Sequence, residues 1–216
     1  MVITYYGISC FKIQSGDTTL AIDPFDKESG LTPPRFRTDI ALTTHNHSNH
    51  NNIDSLADKE DINVFKITGP GEYEIHGIQI HGVSSFHDAK EGKEKGKNTI
   101  YIITWENLRI VHLGDYGENT LRDEIHEAIG TPDILFVPVG GGDTIDAEMA
   151  TKLINQIEPR IIIPMHYKIP GLKEKISGVE VFMKEMGEKS IPEERLTIKK
   201  SAVPTDSQKI IVLKTP

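Results

Sequence analysis

The chain of 216 residues contains a single cysteine, Cys10. An intrachain disulfide framework is therefore impossible, and a zinc site built from several cysteines is excluded. Cys10 lies in an apolar stretch, which predicts a small core residue.

Long apolar runs are also missing. No stretch approaches the roughly 18 apolar residues that a membrane span needs. The first six residues lack the basic region followed by a long apolar run that marks a secretory signal. We therefore expect a cytoplasmic protein without a membrane partner.

Positive charge is in deficit, with 24 Lys and Arg against 32 Asp and Glu and a formal net charge of −8. An acidic surface repels phosphate backbones, which disfavours nucleic acid as a partner. Hydrophobic residues make up 37% and charged residues 26%, an ordinary globular balance. The length suits one domain over residues 1–216. The sequence leaves the oligomeric state open.

The order of predicted elements points to a mixed fold. Strands come first, at residues 3–13, 18–22, 39–44, 63–67, 72–83 with a break near Gly77, and a hairpin of 99–105 with 108–113. Helices near 121–129, 147–157 and 179–186 then alternate with strands at 134–139, 160–164, 196–199 and 210–214. Residues 90–98 are polar and predict a solvated loop. This order indicates α and β elements within one domain.

Three histidines, His45, His47 and His50, lie within six residues directly after an apolar strand. Residues i and i+2 of an extended backbone point to the same face, so His45 and His47 can reach one ion. Histidine-rich tracts favour zinc or other borderline metals. The alternative is a polar loop that happens to hold histidines.

Three further residues stand in the same context, each just after an apolar strand: His87, Asp115 and His166. Strand ends are where ligand sites gather in α/β sheets. A carboxylate with several imidazoles is a sensible metal-binding set. The sequence therefore predicts that this second set completes the site begun by the three histidines.

The segment from His45 to His50 resembles the first motif of the metallo-β-lactamase superfamily, His-x-His-x-Asp-His. The resemblance spans Thr4 to Tyr167. Within the superfamily, the sequence is most similar to the short, stand-alone group related to ascorbate-phosphate lactonase. The other matching pieces are Ala21-Ile22-Asp23-Pro24, Gly69-Pro70-Gly71-Glu72-Tyr73-Glu74, Phe86-His87-Asp88, Leu113-Gly114-Asp115, Val137-Pro138-Val139-Gly140-Gly141 and Pro164-Met165-His166.

The resemblance implies an α+β fold, a four-layered αββα sandwich, with two adjacent metals at one edge. The expected ions are one or two Zn²⁺, with Mn²⁺ or another divalent metal as an alternative. Asp115 would bridge the metals and, with Asn49 of the motif, would serve catalysis, while Asp23 would orient a ligand imidazole. The remaining ligands would be His45, His47 and His87 for the first metal, and His50, His166 and position 49 for the second.

Position 49 departs from the family pattern, because it holds asparagine where the motif has aspartate. An amide oxygen is neutral and a poorer ligand than a carboxylate. Three functions therefore stay open. The first is a hydrolase of a small ester, lactone or phosphoester that uses a metal-activated hydroxide. The others are a metal-binding relative with weak or no turnover, and a phosphodiesterase or nuclease.

The remaining histidines carry less signal. His76 and His81 lie on an isoleucine-rich strand, and His126 lies off the apolar face of its helix, so all three are expected to be structural or solvated. His112 alternates with apolar neighbours, and the sequence assigns it no role.

Overall fold

Two β-sheets form the framework of the computed structural model, which describes residues 1–56, 64–189 and 191–216. The first sheet has the strand order β12-β1-β2-β3-β4-β5. Its strands are β1 (Val2–Gly7), β2 (Cys10–Ser15), β3 (Thr18–Ile22), β4 (Ile40–Leu42), β5 (Phe65–Ile67) and β12 (Leu196–Thr197). The pairs β12–β1, β1–β2 and β2–β3 are antiparallel, whereas the pairs β3–β4 and β4–β5 are parallel.

The second sheet has the strand order β13-β11-β10-β9-β8-β7-β6. Its strands are β6 (Gly71–Ile75), β7 (Ile78–Phe86), β8 (Lys97–Trp105), β9 (Leu108–His112), β10 (Ile134–Pro138), β11 (Ile161–Met165) and β13 (Lys209–Ile210). The pairs from β6 to β9 are antiparallel, and those from β9 to β13 are parallel. β7, β9, β10 and β11 therefore point the same way, so their carboxyl ends meet at one edge.

Apolar side chains join the two sheets. The rings of Phe11 on β2 and Phe136 on β10 are 4.2 Å apart between centroids, and both side chains are fully buried. Tyr101 on β8 donates its hydroxyl to the carbonyl oxygen of Thr43, 2.8 Å away, just after β4. Most of the buried core belongs to one continuous cluster that includes strands of both sheets. The sheets thus pack face to face, which confirms the predicted α+β class.

Three α-helices lie within the described residues: α1 (Asp123–Ile129), α2 (Ala147–Ile157) and α3 (Val179–Glu185). α1 contacts β7, and α2 packs against α3. Asp146 caps α2, because its carboxylate accepts from the backbone N–H of Met149 at 2.9 Å. The longest of these helices has 11 residues, and none could span a bilayer.

The structure shortens several predicted strands. The strand predicted at 63–67 covers Phe65–Ile67, and Asn63 lies outside the described residues. The strand predicted at 210–214 ends at Ile210, after which Leu213 makes only a single bridge to Glu193. The break near Gly77 is confirmed, since a turn with positive φ at His76 and Gly77 separates β6 from β7.

Candidate metal centre

Strand ends place the predicted site residues at a common edge. Asp23 follows β3, and the segment from His45 to His50 follows β4 in the first sheet. In the second sheet, His87 follows β7, Asp115 follows β9 and His166 follows β11. Two of these positions require a left-handed backbone, with φ of 46° at Asp23 and 50° at His166. Such conformations in non-glycine residues cluster at functional sites.

Four imidazoles converge on one oxygen of Asp115. The distances from Asp115 Oδ2 to the Nε2 atoms are 3.0 Å for His87, 3.1 Å for His50, 3.4 Å for His166 and 4.0 Å for His45. The other oxygen, Oδ1, accepts from the hydroxyl of Ser9 at 3.1 Å. The Ser9 contact leaves Oδ2 free to face the histidines.

The candidate ligand atoms fall into three overlapping groups, in each of which all atoms lie within 4.8 Å of one another. His47, which is exposed, joins its two motif neighbours in the first group. The groups are His45, His47 and His50; His45, His87 and Asp115; and His50, Asp115 and His166. The second and third groups share Asp115, so two ions bound there would be neighbours.

The Asp23 carboxylate binds His50 of the histidine motif on the side away from Asp115. Its Oδ1 accepts from the backbone N–H of Thr44 at 2.8 Å, and its Oδ2 accepts from the Thr44 hydroxyl at 2.7 Å and from Nδ1 of His50 at 3.0 Å. The Thr44 hydroxyl in turn lies 3.0 Å from Nδ1 of His45 and can accept a hydrogen bond from the Nδ1–H group. Both Nδ1 atoms are thereby occupied, which leaves Nε2 of each ring directed at Asp115.

Burial and charge divide protons unevenly within the cluster. Burial lowers the pKa of His45 to about 3, with the neighbouring His50 adding to the shift. Burial alone would lower the pKa of His50 too, but the carboxylates of Asp115 and Asp23 outweigh it and raise that pKa to about 10. Burial would raise the pKa of Asp115, yet His166 and His50 hold it well below its usual range. The cluster thus holds positive charge beside Asp115.

The donor set fits a divalent metal. One carboxylate oxygen offers about two lone-pair sites, so it cannot accept hydrogen bonds from four imidazoles at once. The Nδ1 atoms of His87 and His166 are also buried without a hydrogen-bond partner among the described residues. Imidazole nitrogens with a carboxylate oxygen are the ligands that zinc and similar ions take in proteins. The cluster accordingly has the composition and spacing of a metal site.

An open cleft of about 540 Å³ leads to this cluster. Charged side chains of both signs form much of its wall, and Ile176 is the apolar residue among those that line it. Lys95 at the rim donates to Asp143 at 2.8 Å, and the exposed Lys175 lies nearby. A wall of this kind suits a small polar ligand.

Asn49 lies beside the cluster and is 7% exposed. Its amide nitrogen donates to Oε1 of Glu174 at 2.7 Å, and Oε2 of Glu174 lies 3.7 Å from Nε2 of His166. Asn49 as a ligand stays a prediction. Sequence reasoning missed Glu174, because this residue stands in a loop with no motif around it and comes from 125 positions away.

The loop predicted at 90–98 is exposed over most of its length up to the start of β8, as its composition predicts, and one carboxylate anchors it. Asp88, 8% exposed, accepts four backbone N–H groups at 2.7–3.1 Å from the loop that follows it. The donors are Lys90, Gly92, Glu94 and Lys95. β8 then begins at Lys97. One carboxylate thereby positions the loop that brings Glu94 and Lys95 to the cleft.

Replacing Asp88 with asparagine is expected to loosen this loop. The amide group of asparagine would face two of the four N–H donors with a donor of its own, so those hydrogen bonds would be lost. Hydrogen exchange at residues 89–96 should accelerate, and trypsin should cleave faster after Lys93 and Lys95. Asp17→Asn, on an exposed turn, is the control and should change neither. Unchanged protection in Asp88→Asn would contradict this role.

The other histidines lie away from the ligand groups. His76, His81 and His126 are exposed, in agreement with their interpretation as structural or solvated. His112 is fully buried, where Nε2 donates to the Ser9 carbonyl at 2.9 Å and Nδ1 accepts from Gly114 N–H at 3.1 Å. His112 therefore braces the turns that carry Ser9 and Asp115.

Known proteins resemble this chain in sequence and in fold. Residues 2–166 match the beta-lactamase superfamily domain. A metal-dependent hydrolase of Methanosphaera stadtmanae is 30% identical, with 88% of this chain and 93% of the relative aligned. A metal-dependent hydrolase of Lysinibacillus sphaericus is also 30% identical, over 77% of this chain and 85% of the relative.

The solved structures include a Thermotoga maritima protein of the metallo-β-lactamase superfamily, assigned provisionally as a Zn-dependent hydrolase. It is 29% identical and superposes with a TM-score of 0.78. The alignment covers 100% of this chain and 99% of the Thermotoga maritima protein. The likeness to the lactonase-related group within the superfamily stays a prediction. The domain match and the two relatives show that this chain belongs to the beta-lactamase superfamily, beside relatives described as metal-dependent hydrolases.

Proposed function

We propose that the cleft above Asp115 hydrolyses a small polar ester, lactone or phosphoester with the aid of one or two divalent metal ions, Zn²⁺ in the first instance. The observation that carries the proposal is the convergence of four imidazoles on Asp115 Oδ2 at 3.0–4.0 Å. Membership of the superfamily and the description of its relatives as metal-dependent hydrolases support it.

The residues divide into two sets that share Asp115. His45, His47 and His87 would hold one ion, and His50 and His166 would hold the other. A metal bound there supplies a water of lowered pKa and polarises the bond that is cleaved. Asp115, which accepts a hydrogen bond from Ser9, would be the ligand common to both sets. Asp23 would keep His50 in the tautomer that leaves its Nε2 free.

The walls of the cleft favour a small molecule over a polymer. Lys175 at the rim can attract an anionic group of the substrate, whereas the ammonium group of Lys95 is already paired with Asp143. The formal net charge of −8 opposes a nucleic-acid backbone. A small-molecule substrate is therefore the expected partner.

A substrate panel tests the proposal. The protein would be stripped with a chelator, reloaded with Zn²⁺ or Mn²⁺, and assayed on nitrophenyl esters, lactones and a nitrophenyl phosphodiester. We expect turnover in at least one class, loss of turnover on chelation, and loss in His87→Ala. His81→Ala is the matched control, because His81 is exposed on the strand that leads to His87 and should leave turnover unchanged.

Three results would contradict the proposal. Turnover that survives both chelation and His87→Ala would separate activity from this cluster. Metal retained at the cluster without turnover of any class would favour a binding or sensing protein. Salt-sensitive affinity for RNA or DNA, with cleavage, would instead favour the nuclease alternative.

A further inference from the structure

Asn49 and Glu174 form a pair at the edge of the cluster. The Asn49 amide nitrogen donates to Glu174 Oε1 at 2.7 Å, and Glu174 Oε2 lies 3.7 Å from Nε2 of His166. A carboxylate can only accept at this distance, so the amide must turn its NH₂ group toward Glu174. The glutamate side chain, one-third exposed, thus lies between the motif and a predicted ligand of the second metal.

We propose that Glu174 supplies the second metal position with the carboxylate that position 49 lacks. The inference rests on the proposed metal-dependent function, and it assigns that function a residue outside the family motif. The amide at position 49 and the carboxylate at position 174 are then an exchange of groups between two neighbouring side chains.

Charge explains why an amide at position 49 accompanies a carboxylate at position 174. The second position offers Asp115 and two imidazoles, which add no negative charge, so a further carboxylate adds both a ligand oxygen and negative charge for a divalent ion. An aspartate at position 49 would bring a second carboxylate oxygen to the place where Asn49 now donates. Like charges at that distance oppose each other, whereas an amide holds the glutamate by a hydrogen bond.

The loop that carries Glu174 is held in place by its own backbone contacts. Lys168 donates its ammonium group to the carbonyl oxygens of Leu172 and, at 2.8 Å, of Glu174. The loop end is fixed by Ser177, whose N–H donates to the Gly140 carbonyl at 2.8 Å and whose carbonyl accepts from Lys168 N–H at 2.8 Å. Glu174 is therefore presented to the cluster by an ordered loop.

Calorimetric titration of metal-stripped protein with Zn²⁺ tests the proposal, with retained metal counted by mass spectrometry. Wild type should bind two equivalents per chain. Glu174→Gln should bind the first equivalent with unchanged affinity and the second with an affinity lower by about 10-fold or more. The double variant Asn49→Asp/Glu174→Gln, which returns the carboxylate to position 49, should recover the second. Circular dichroism checks that each variant is folded.

Glu127→Gln is the matched control, because Glu127 is exposed on α1 and has no side-chain hydrogen bond or ion pair among the described residues. It should bind both equivalents as wild type does. Unchanged affinity in Glu174→Gln, a single equivalent in wild type, or no recovery in the double variant would each overturn the role of Glu174. Absence of any bound metal in wild type would overturn the proposed function itself, so the two failures are distinguishable.

Discussion

Replacing Asp115 with asparagine is expected to abolish metal-dependent hydrolysis and to weaken metal binding by more than about 100-fold, beyond the effect of losing a residue that only supports a ligand. The Nε2 atoms of His87, His50 and His166 lie 3.0–3.4 Å from Asp115 Oδ2. Asp115 is also the residue common to the second and third groups of candidate ligand atoms. Asparagine keeps the shape but lacks the charge that a bridging ligand needs. Bound metal and turnover of the responsive substrate would be measured together.

Asp133→Asn is the control for loss of a buried carboxylate elsewhere. Asp133, 7% exposed, accepts from the N–H of Arg109 and from the ammonium group of Lys200, outside the cleft. We expect this variant to retain metal and turnover even if it is less stable. Retention of both metals and full turnover by Asp115→Asn would refute the bridging role.

Replacing Asp23 with alanine should lower the free energy of unfolding by about 3–5 kcal/mol, because it removes one partner of a buried, hydrogen-bonded ion pair. Asp23 is fully buried and accepts from Thr44 and from His50. Metal affinity should also fall, by about 10–100-fold, since His50 and His45 lose the network that orients them. Denaturant unfolding and metal titration measure the two effects separately.

Two further variants sharpen this test. Asp23→Asn keeps an acceptor and suits the left-handed backbone at φ 46°, so it should lose less stability than alanine. Asp39→Ala removes a carboxylate that accepts from Thr19 N–H at 2.8 Å before β4. It should lose about 1 kcal/mol and leave metal affinity unchanged. Equal metal affinity in Asp23→Ala and Asp39→Ala would show that Asp23 does not orient the ligands.

The half of the candidate site that is local in sequence could be predicted directly. His45, His47 and His50 stand together after an apolar strand, and the spacing of His45 and His47 suggests a shared ion. His87, Asp115 and His166 could be added because each follows a strand, and strands of common direction end at one edge of a sheet. The structure brings these residues together, while their role as ligands stays a prediction.

Residues that depend on loop geometry could not be predicted. Ser9 reaches Asp115 from a turn 106 positions away, and Glu174 reaches Asn49 from 125 positions away. Neither residue carries a periodic or spaced signal, so only the folded chain shows the contact. The same holds for Asp88: the composition predicts a solvated loop after it, and the loop is exposed, but only the structure shows that the Asp88 carboxylate anchors its backbone.

The fold was predictable where local and tertiary preferences agree. The turn at Glu106 and Asn107, both with positive φ, joins β8 to β9 as the hairpin pattern indicates. α2 occupies the predicted span, since Asp146 caps its start and Glu158, at φ 53°, ends it. The strands near the C-terminus were predicted too long, because their pairing depends on distant partners such as Glu193 and not on local composition.

Anomalous diffraction at the zinc edge from crystals of Zn²⁺-loaded protein would show whether this cluster is a metal centre. We expect a peak among His45, His47, His87 and Asp115, and a second, neighbouring peak bounded by His50, His166 and Asp115 with Glu174 at its side. Loaded crystals with no anomalous peak at Asp115, or with zinc bound only elsewhere on the chain, would contradict it.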